Sequence, residues 1–206
     1  MNYKLYYAPG TASMSIRVLL EEIGEPYELI QTTTDRLKIR PVEQMKINPN
    51  GWVPVLSWDD GAMYECAAIT MFLCDRYPNA KLAPKLEAPE RSLFLQTLLY
   101  FASSVQIAFQ LDYHPYRFAE KPEEERSAQR RGHLRLRETW NVVNDQIGDN
   151  HWILGDVFSA VDIYLYMLTT WLNQSRGHAA VSEFPNVQRI ADEVTKRESI
   201  RKVYSL

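Results

Sequence analysis

The sequence predicts an α/β domain of βαβ–ββα order followed by an all-helical domain, and three observations carry that prediction. The first eighty residues alternate short aromatic or β-branched runs with an amphipathic helical period. Residues 78–89 contain Pro78, Pro84 and Pro89 with little apolar content, which suits a linker. Everything beyond reads as helix. At 206 residues the chain has room for two small domains. The boundaries fall at 1–78 for the first, 79–89 for the linker and 90–206 for the second.

Tyr3 to Tyr7 is a strand ended by Pro9-Gly10. Ile16, Leu19, Leu20 and Ile23 then recur at helical spacing until Gly24 stops the helix. Tyr27 to Ile30 is a second strand, and a polar stretch with Arg36, Lys38 and Arg40 leads into the loop Asn48-Pro49-Asn50-Gly51. Val53 to Trp58 is a short strand; Asp59-Asp60-Gly61 turns it into Ala62-Met63-Tyr64. Ile69, Phe72 and Leu73 mark a helix that ends near Tyr77-Pro78. In the second domain, Leu93, Phe94, Leu98 and Phe101 form one apolar face and Leu136, Trp140, Val143 and Ile147 another. Ser159 and Asp162 have capping-box spacing ahead of Ile163 and Met167, a structural feature. A last helix follows Pro185, with Val187, Ile190, Ala191 and Val194 on one face.

Hydrophobic residues at 46% and charged residues at 24% exclude a disordered chain. A net charge of −3 excludes a strongly basic nucleic-acid binder. The arginines between Arg126 and Arg137 follow Glu123-Glu124-Glu125 and suit solvated helix faces rather than a nucleic-acid patch. No run approaches the ~18 apolar residues of a membrane span, and Met1 to Tyr7 has no signal-peptide pattern. Cys66 and Cys74 on one helix lie about 12 Å apart by helical rise, too far to pair. A reduced, cytoplasmic protein without a nucleic-acid or membrane partner is expected.

Three segments of the first domain converge if its elements fold as a thioredoxin-like sheet. Pro9-Gly10-Thr11-Ala12-Ser13 lies where strand one meets helix one, a place that favours an anion such as a thiolate. Ser13 supplies a hydroxyl there and is equally a natural N-cap. In Asn48-Pro49-Asn50-Gly51-Trp52-Val53-Pro54-Val55-Leu56, a cis peptide before Pro54 would leave the N–H and C=O of Val53 to pair with an extended peptide; a simple turn is the alternative. In Tyr64-Glu65-Cys66-Ala67-Ala68-Ile69, Glu65 can hold an ammonium, and the Cys66 N–H at a helix start can hold a carboxylate. A ligand with a thiol, an extended amide and an amino-acid end fits all three, and glutathione is the abundant one.

Over essentially its whole length the chain resembles the cytosolic glutathione transferases. The resemblance rests on Tyr6-Tyr7-Ala8-Pro9-Gly10, the Asn48–Leu56 motif, Glu65-Cys66-Ala67-Ala68-Ile69, and Ser159-Ala160-Val161-Asp162 after Leu154-Gly155. The start is most similar to the bacterial beta class, with departures. That class carries a cysteine where this chain has Ala12, and serine-using classes place their serine at the same position, one before Ser13. Cys66 stands where the family has Ser or Thr, and Gln106-Ile107 where the beta class has a His-Lys pair.

The resemblance implies an enzyme that lowers the pKa of bound glutathione and presents the thiolate to a small hydrophobic electrophile, with no metal and no further cofactor. The candidate sulfur partners are Ser13, Thr11 and Tyr7. Glutathione contacts fall to Ser13, Trp52, Val53, Pro54, Glu65 and Cys66, with Lys38 and Arg40 (or Arg36) offered to the glycyl carboxylate. Tyr100, Ser104, Phe109, Tyr113 and His114 are the electrophile-facing candidates, or equally core. A homodimer is implied, with Arg91, Phe94 and Tyr100 as contacts. The competing functions are a glutathione-binding or regulatory protein with little catalysis, and a glutathione-dependent reductase or peroxidase using Cys66.

Overall fold

Strand β1 (Tyr3–Tyr7) sits inside a four-stranded sheet of order β2-β1-β3-β4. The computed structural model of the chain describes residues 2–35 and 37–206. β1 runs parallel to β2 (Tyr27–Gln31), which requires the crossover helix α1 (Ser13–Ile23) between them. It runs antiparallel to β3 (Val55–Trp58), and β3 pairs antiparallel with β4 (Gly61–Tyr64) through the Asp59-Asp60 turn. Helices α2 (Val42–Ile47) and α3 (Cys66–Arg76) complete the βαβ–ββα order. Leu5, Ile16, Val18, Leu20, Val55, Leu56, Ile69 and Leu73 are fully buried, each side chain stabilising the unit by about 1.5–3 kcal/mol.

Three local expectations change. β3 starts at Val55, because the Val53–Pro54 peptide is cis and Pro54 has no N–H for the ladder. α2 lies in a stretch the sequence marks only as polar; of its six residues Gln44 alone is buried, so there is no apolar period to read. α1 begins at Ser13 with Ala12 in the cap position, so Ser13 is not the N-cap. Its other end is as expected: Gly24 takes φ 80° and donates its N–H to Leu20 O.

The chain divides into one unit of Met1–Lys85 with Thr195–Leu206 and another of Leu86–Val194. The sequence assigns all of 90–206 to the helical domain; helix α9 (Glu198–Tyr204) belongs instead with the first unit. The physical reason is a polar clamp on α1. Arg197 donates Nε and Nη2 to the Glu22 carboxylate at 2.7 Å each, and Ser199 donates its hydroxyl to the same group. Glu21 accepts from Lys202 Nζ and from the Tyr27 hydroxyl, both at 2.6 Å.

In the helical unit, α4 (Glu90–Tyr100), a π-helical segment (Phe101–Val105) and α5 (Gln106–Tyr113) are continuous. α6 (Glu125–Ile147), α7 (Ala160–Thr169) and α8 (Pro185–Val194) follow. Contrary to the sequence expectation, Glu90–Tyr113 is long and apolar enough to cross a membrane by length and composition. Its fully buried Phe94, Leu98, Phe101, Val105 and Phe109 explain the apolar content as the packing face of a core helix against α6 and α7. The burial of Phe94, with the Arg91 guanidinium over its ring at 5.2 Å, also removes that pair as subunit contacts. Ahead of α7, Asp162 accepts from the N–H of Ser159 at 2.8 Å and of Ile153 at 3.0 Å, as capping-box spacing predicts.

Candidate functional site

Strand register brings the three predicted segments together at one end of the sheet. Val55 is paired with Tyr6 on one side and Tyr64 on the other. Continuing that register past the strand ends sets Pro54 and Val53 between the Tyr7–Ala8 exit of β1 and the Glu65–Cys66 start of α3. The α1 and α3 starts also touch: Cys66 Sγ lies 3.1 Å from Ser15 Oγ and 3.5 Å from Ala12 O.

The Ala8–Ser13 turn corrects the expectation for Ser13. Ser13 is fully buried, and its hydroxyl accepts the Ala8 N–H at 3.1 Å. Thr11 Oγ1 donates to Ala8 O at 2.7 Å and lies 2.7 Å from Ser13 Oγ. The single Ser13 hydrogen therefore goes to Thr11 Oγ1 or to Ala8 O at 3.2 Å, and in either case it stays inside the turn. Thr11 is half-buried, so of the two hydroxyls its own is the one a ligand can reach. The backbone N–H groups of Gly10, Thr11 and Ala12 make no hydrogen bond with a described residue and stand at the positive end of α1. Tyr7 is half-buried beneath Arg17, whose guanidinium carbon is 5.7 Å from the ring centroid.

The N–H and C=O of Val53, beside the cis Pro54, likewise make no hydrogen bond with a described residue. Two side chains hold the loop that presents them. Asn48 Nδ2 donates to Trp52 O at 3.2 Å, and Gln44 Nε2 donates to Gly51 O at 3.2 Å. Gln44 was not legible from the sequence, since one polar residue in a short polar helix carries no spacing signal. Gly51 adopts φ 71°, and a Cβ there would meet the Arg40 side chain at 2.9 Å. Arg40 therefore lies against this loop, donating Nε to Thr33 O at 3.2 Å. Lys38 is exposed, Trp52 is 42% exposed, and Arg36 lies outside the described residues.

Glu65 is exposed; its backbone oxygen accepts from the Ile69 N–H at 2.9 Å, while its side chain makes no hydrogen bond or ion pair with a described residue. It holds φ 77°, a left-handed conformation that costs a non-glycine residue about 1–3 kcal/mol. The Cys66 thiol is buried toward Ser15 and the α1 turn, which does not suit the reductase alternative that would use it. Cys66 and Cys74 form no disulfide.

The five electrophile-facing candidates do not form one group. Phe109 is core, at 1% exposure. Tyr100 and Tyr113 are thirteen residues apart on one continuous helical run, about 20 Å by helical rise. Ser104 is half-buried within the π-helical segment. Tyr113 and His114 sit together beside a polar node centred on buried Asp112, where α6 comes close to α5 at Gly132. Asp112 Oδ1 meets His133 Nε2 at 3.0 Å, and Oδ2 meets His178 Nε2 at 3.0 Å and Arg176 Nε at 2.7 Å. Arg176 and the two histidines hold the Asp112 carboxyl below its ordinary range, although burial opposes them.

Asp112, His133 and His178 have the composition of a cation site, their donor atoms lying within 4.8 Å of one another. The hydrogen bonding does not fit a metal. His178 Nδ1 accepts the Asn173 N–H at 3.1 Å, so Nε2 carries the hydrogen and donates it to Asp112. The Arg176 guanidinium already occupies the same carboxylate oxygen.

Residues 5–81 match the family model "Glutathione S-transferase, N-terminal domain", and residues 92–198 match its C-terminal counterpart. The chain is 29% identical over 170 residues to glutathione S-transferase GstA of Escherichia coli O157:H7, covering 82% of this chain and 81% of that one. It is 25% identical to disulfide-bond oxidoreductase YfcG of Escherichia coli K12, covering 94% and 90%. Among solved structures it is similar to BphK, a bacterial glutathione S-transferase in a ternary complex. That match has a TM-score of 0.84 at 29% identity and covers 98% of each chain.

Proposed function

The chain belongs to the glutathione S-transferase family, and from that premise we propose that it binds glutathione on its α/β unit, stabilises the thiolate and conjugates it to a small apolar electrophile. One observation carries the proposal: unpaired backbone groups of Gly10–Ala12 and Val53 occur at the sheet end where exposed Glu65 begins α3. Val53 pairs with the cysteinyl amide, Glu65 takes the γ-glutamyl ammonium, and the Cys66 N–H takes the adjoining carboxylate. Arg40, beside Gly51, serves the glycyl carboxylate with Lys38 and Trp52 at the same rim. The sulfur lies over Gly10–Ala12 and accepts from Thr11, whose hydrogen turns from Ala8 O to the thiolate while Ser13 Oγ, 3.2 Å from that carbonyl, donates to it instead.

Lowering the bound thiol pKa by one unit requires about 1.4 kcal/mol of preference for the thiolate. A charge-assisted hydrogen bond of about 1.5–3 kcal/mol from Thr11, with about 0.3–1 kcal/mol from the α1 dipole, supplies that. No group beyond glutathione is required for the step. The oxidoreductase alternative finds no support in Cys66, whose thiol faces Ser15. The protein is proposed to be cytoplasmic and a homodimer. Its subunit surface would involve exposed Leu99 and Ile107 on the first long helix and Leu134 and Val142 on α6, rather than Phe94.

Conjugation of 1-chloro-2,4-dinitrobenzene, followed against pH, tests the reading. Turnover with a kinetic pKa below that of free glutathione is expected. Retention on a glutathione column without turnover of any aryl halide, epoxide or enone would instead make this a binding protein. Light scattering should report twice the 24.0 kDa chain mass.

A further inference from the structure

We propose that the turn Tyr113–Phe118, together with Arg176, is a binding surface for an aromatic carboxylate, a planar apolar body carrying one anionic group. The binding does not depend on the transferase reading.

Arg176 supplies the charge. Its Nε and Nη2 are held by Asp112, at 2.7 Å from Oδ2 and 3.2 Å from the backbone oxygen. Its Nη1 has no partner among the described residues, and its side chain is 36% exposed. The guanidinium carbon stands 4.6 Å over the Tyr113 ring, and the Tyr113 hydroxyl is tied to Trp171 O at 2.8 Å, so neither group swings. Two planar N–H donors are thereby fixed beside an aromatic surface, a geometry that matches a carboxylate.

The Asp112 carboxylate neutralises much of that charge but leaves Nη1 as a donor. The Asp112 side chain is 3% exposed and turned inward to His133, His178 and Arg176. Arg117 is a second cation on the same turn, its guanidinium carbon 5.7 Å from the Tyr116 ring centroid and its Nη1 3.4 Å from Gln110 Oε1. His114, half-buried on the same turn, has its pKa pushed down by burial and by both Arg117 and Arg176. Farther along the chain, the Glu124 carboxylate is engaged by the N–H groups of Glu120 and Lys121 at 3.2 and 3.3 Å. Tyr116 at 40% and Phe118 at 45% exposure provide the apolar floor.

Equilibrium dialysis of the full chain with 2-naphthoate and with neutral 2-acetylnaphthalene, without glutathione, tests this. The carboxylate should bind about tenfold or more tighter than the ketone, the ratio one charge-assisted hydrogen bond provides. The preference should shrink at 300 mM salt and fall below about twofold in the Arg117→Gln/Arg176→Gln variant, with affinity for the ketone unchanged. Because Arg176→Gln leaves Asp112 short of a partner, Arg117→Gln alone should at least halve the preference in a fully folded protein. Equal binding of the two probes to the wild type, or a preference that survives the double substitution, would overturn the proposal. The dialysis contains no glutathione, so a failed conjugation assay leaves it standing. Conjugation without a naphthoate preference would remove only this inference.

Discussion

The Ala8–Ser13 turn and the Asp112 node are both clusters of polar groups, yet they handle hydrogen bonds in opposite ways. In the turn, the Ser13 hydroxyl is used internally while the N–H groups of Gly10, Thr11 and Ala12 face the helix start without partners. In the node, both Asp112 oxygens are engaged by three side chains from different parts of the helical unit. Buried polar groups are satisfied wherever they only support a fold. Every helix start leaves N–H groups unpaired; at this one they share a sheet end with the unpaired backbone of Val53 and with exposed Glu65, a combination the node lacks. The contrast also warns against reading function from residue type. The node has the histidines and carboxylate of an active centre and serves as a scaffold; the turn has no ionisable side chain at all.

The strongest way to break that comparison is Asp112→Ala. Removing the hub leaves buried His178, half-exposed His133 and exposed Arg176 without their shared carboxylate, and the helical unit should lose about 3 kcal/mol in urea unfolding. Glutathione affinity measured on the folded fraction should change less than twofold; a large loss of affinity with little loss of stability would reverse the two roles. Glu65→Ala should do the converse. Calorimetry should show glutathione binding weakened by about 1.5–3 kcal/mol, while stability is unchanged, because alanine keeps the Cβ that φ 77° strains. Unchanged affinity would leave Glu65 as an ordinary helix-start acid.

Within the turn, the two hydroxyls can be separated. Thr11→Val should raise the kinetic pKa of bound glutathione by about one unit, or 1.4 kcal/mol, at constant KM for glutathione. Ser13→Ala leaves the Ala8 N–H without its acceptor and should cost about 1 kcal/mol of stability with a smaller rise in kinetic pKa. If Ser13→Ala gives the larger kinetic shift, the sulfur is on the buried side and Thr11 is the support.

The smallest effect concerns pH. Burial pushes Asp162 from its ordinary 3.8 up to about 6, against the donors from Ile153 and Ser159. A carboxyl with a raised folded pKa favours its protonated form, so its contribution to stability grows as pH falls through about 6 and is complete below 3.8. Between pH 7 and 5.5 the stability of wild type relative to Asp162→Asn should rise by about 0.8 kcal/mol. The other titrating groups, common to both proteins, cancel in that difference. A flat difference would mean the carboxylate keeps its charge in the folded protein.

The sequence by itself determined the two architectures, because strand alternation, helical periodicity and Gly or Pro stops are local properties written into consecutive residues. It also determined the positions of β1, the Asp59-Asp60 hairpin, the α6 and α8 faces and the Ser159–Asp162 cap, and it singled out Val53, Glu65 and the α1 start, which the fold brings to one end of the sheet. Tertiary structure alone decided the rest. It decided that the Ser13 hydroxyl points inward to Ala8 and that the Cys66 thiol points toward Ser15, because side-chain direction depends on which neighbour across space takes the hydrogen bond. It placed α9 on α1, because the partners Glu22 and Arg197 are 175 residues apart and no local pattern links them. It also assembled the Asp112 node from three separated stretches, where the sequence shows only one acid, two histidines and an arginine among many.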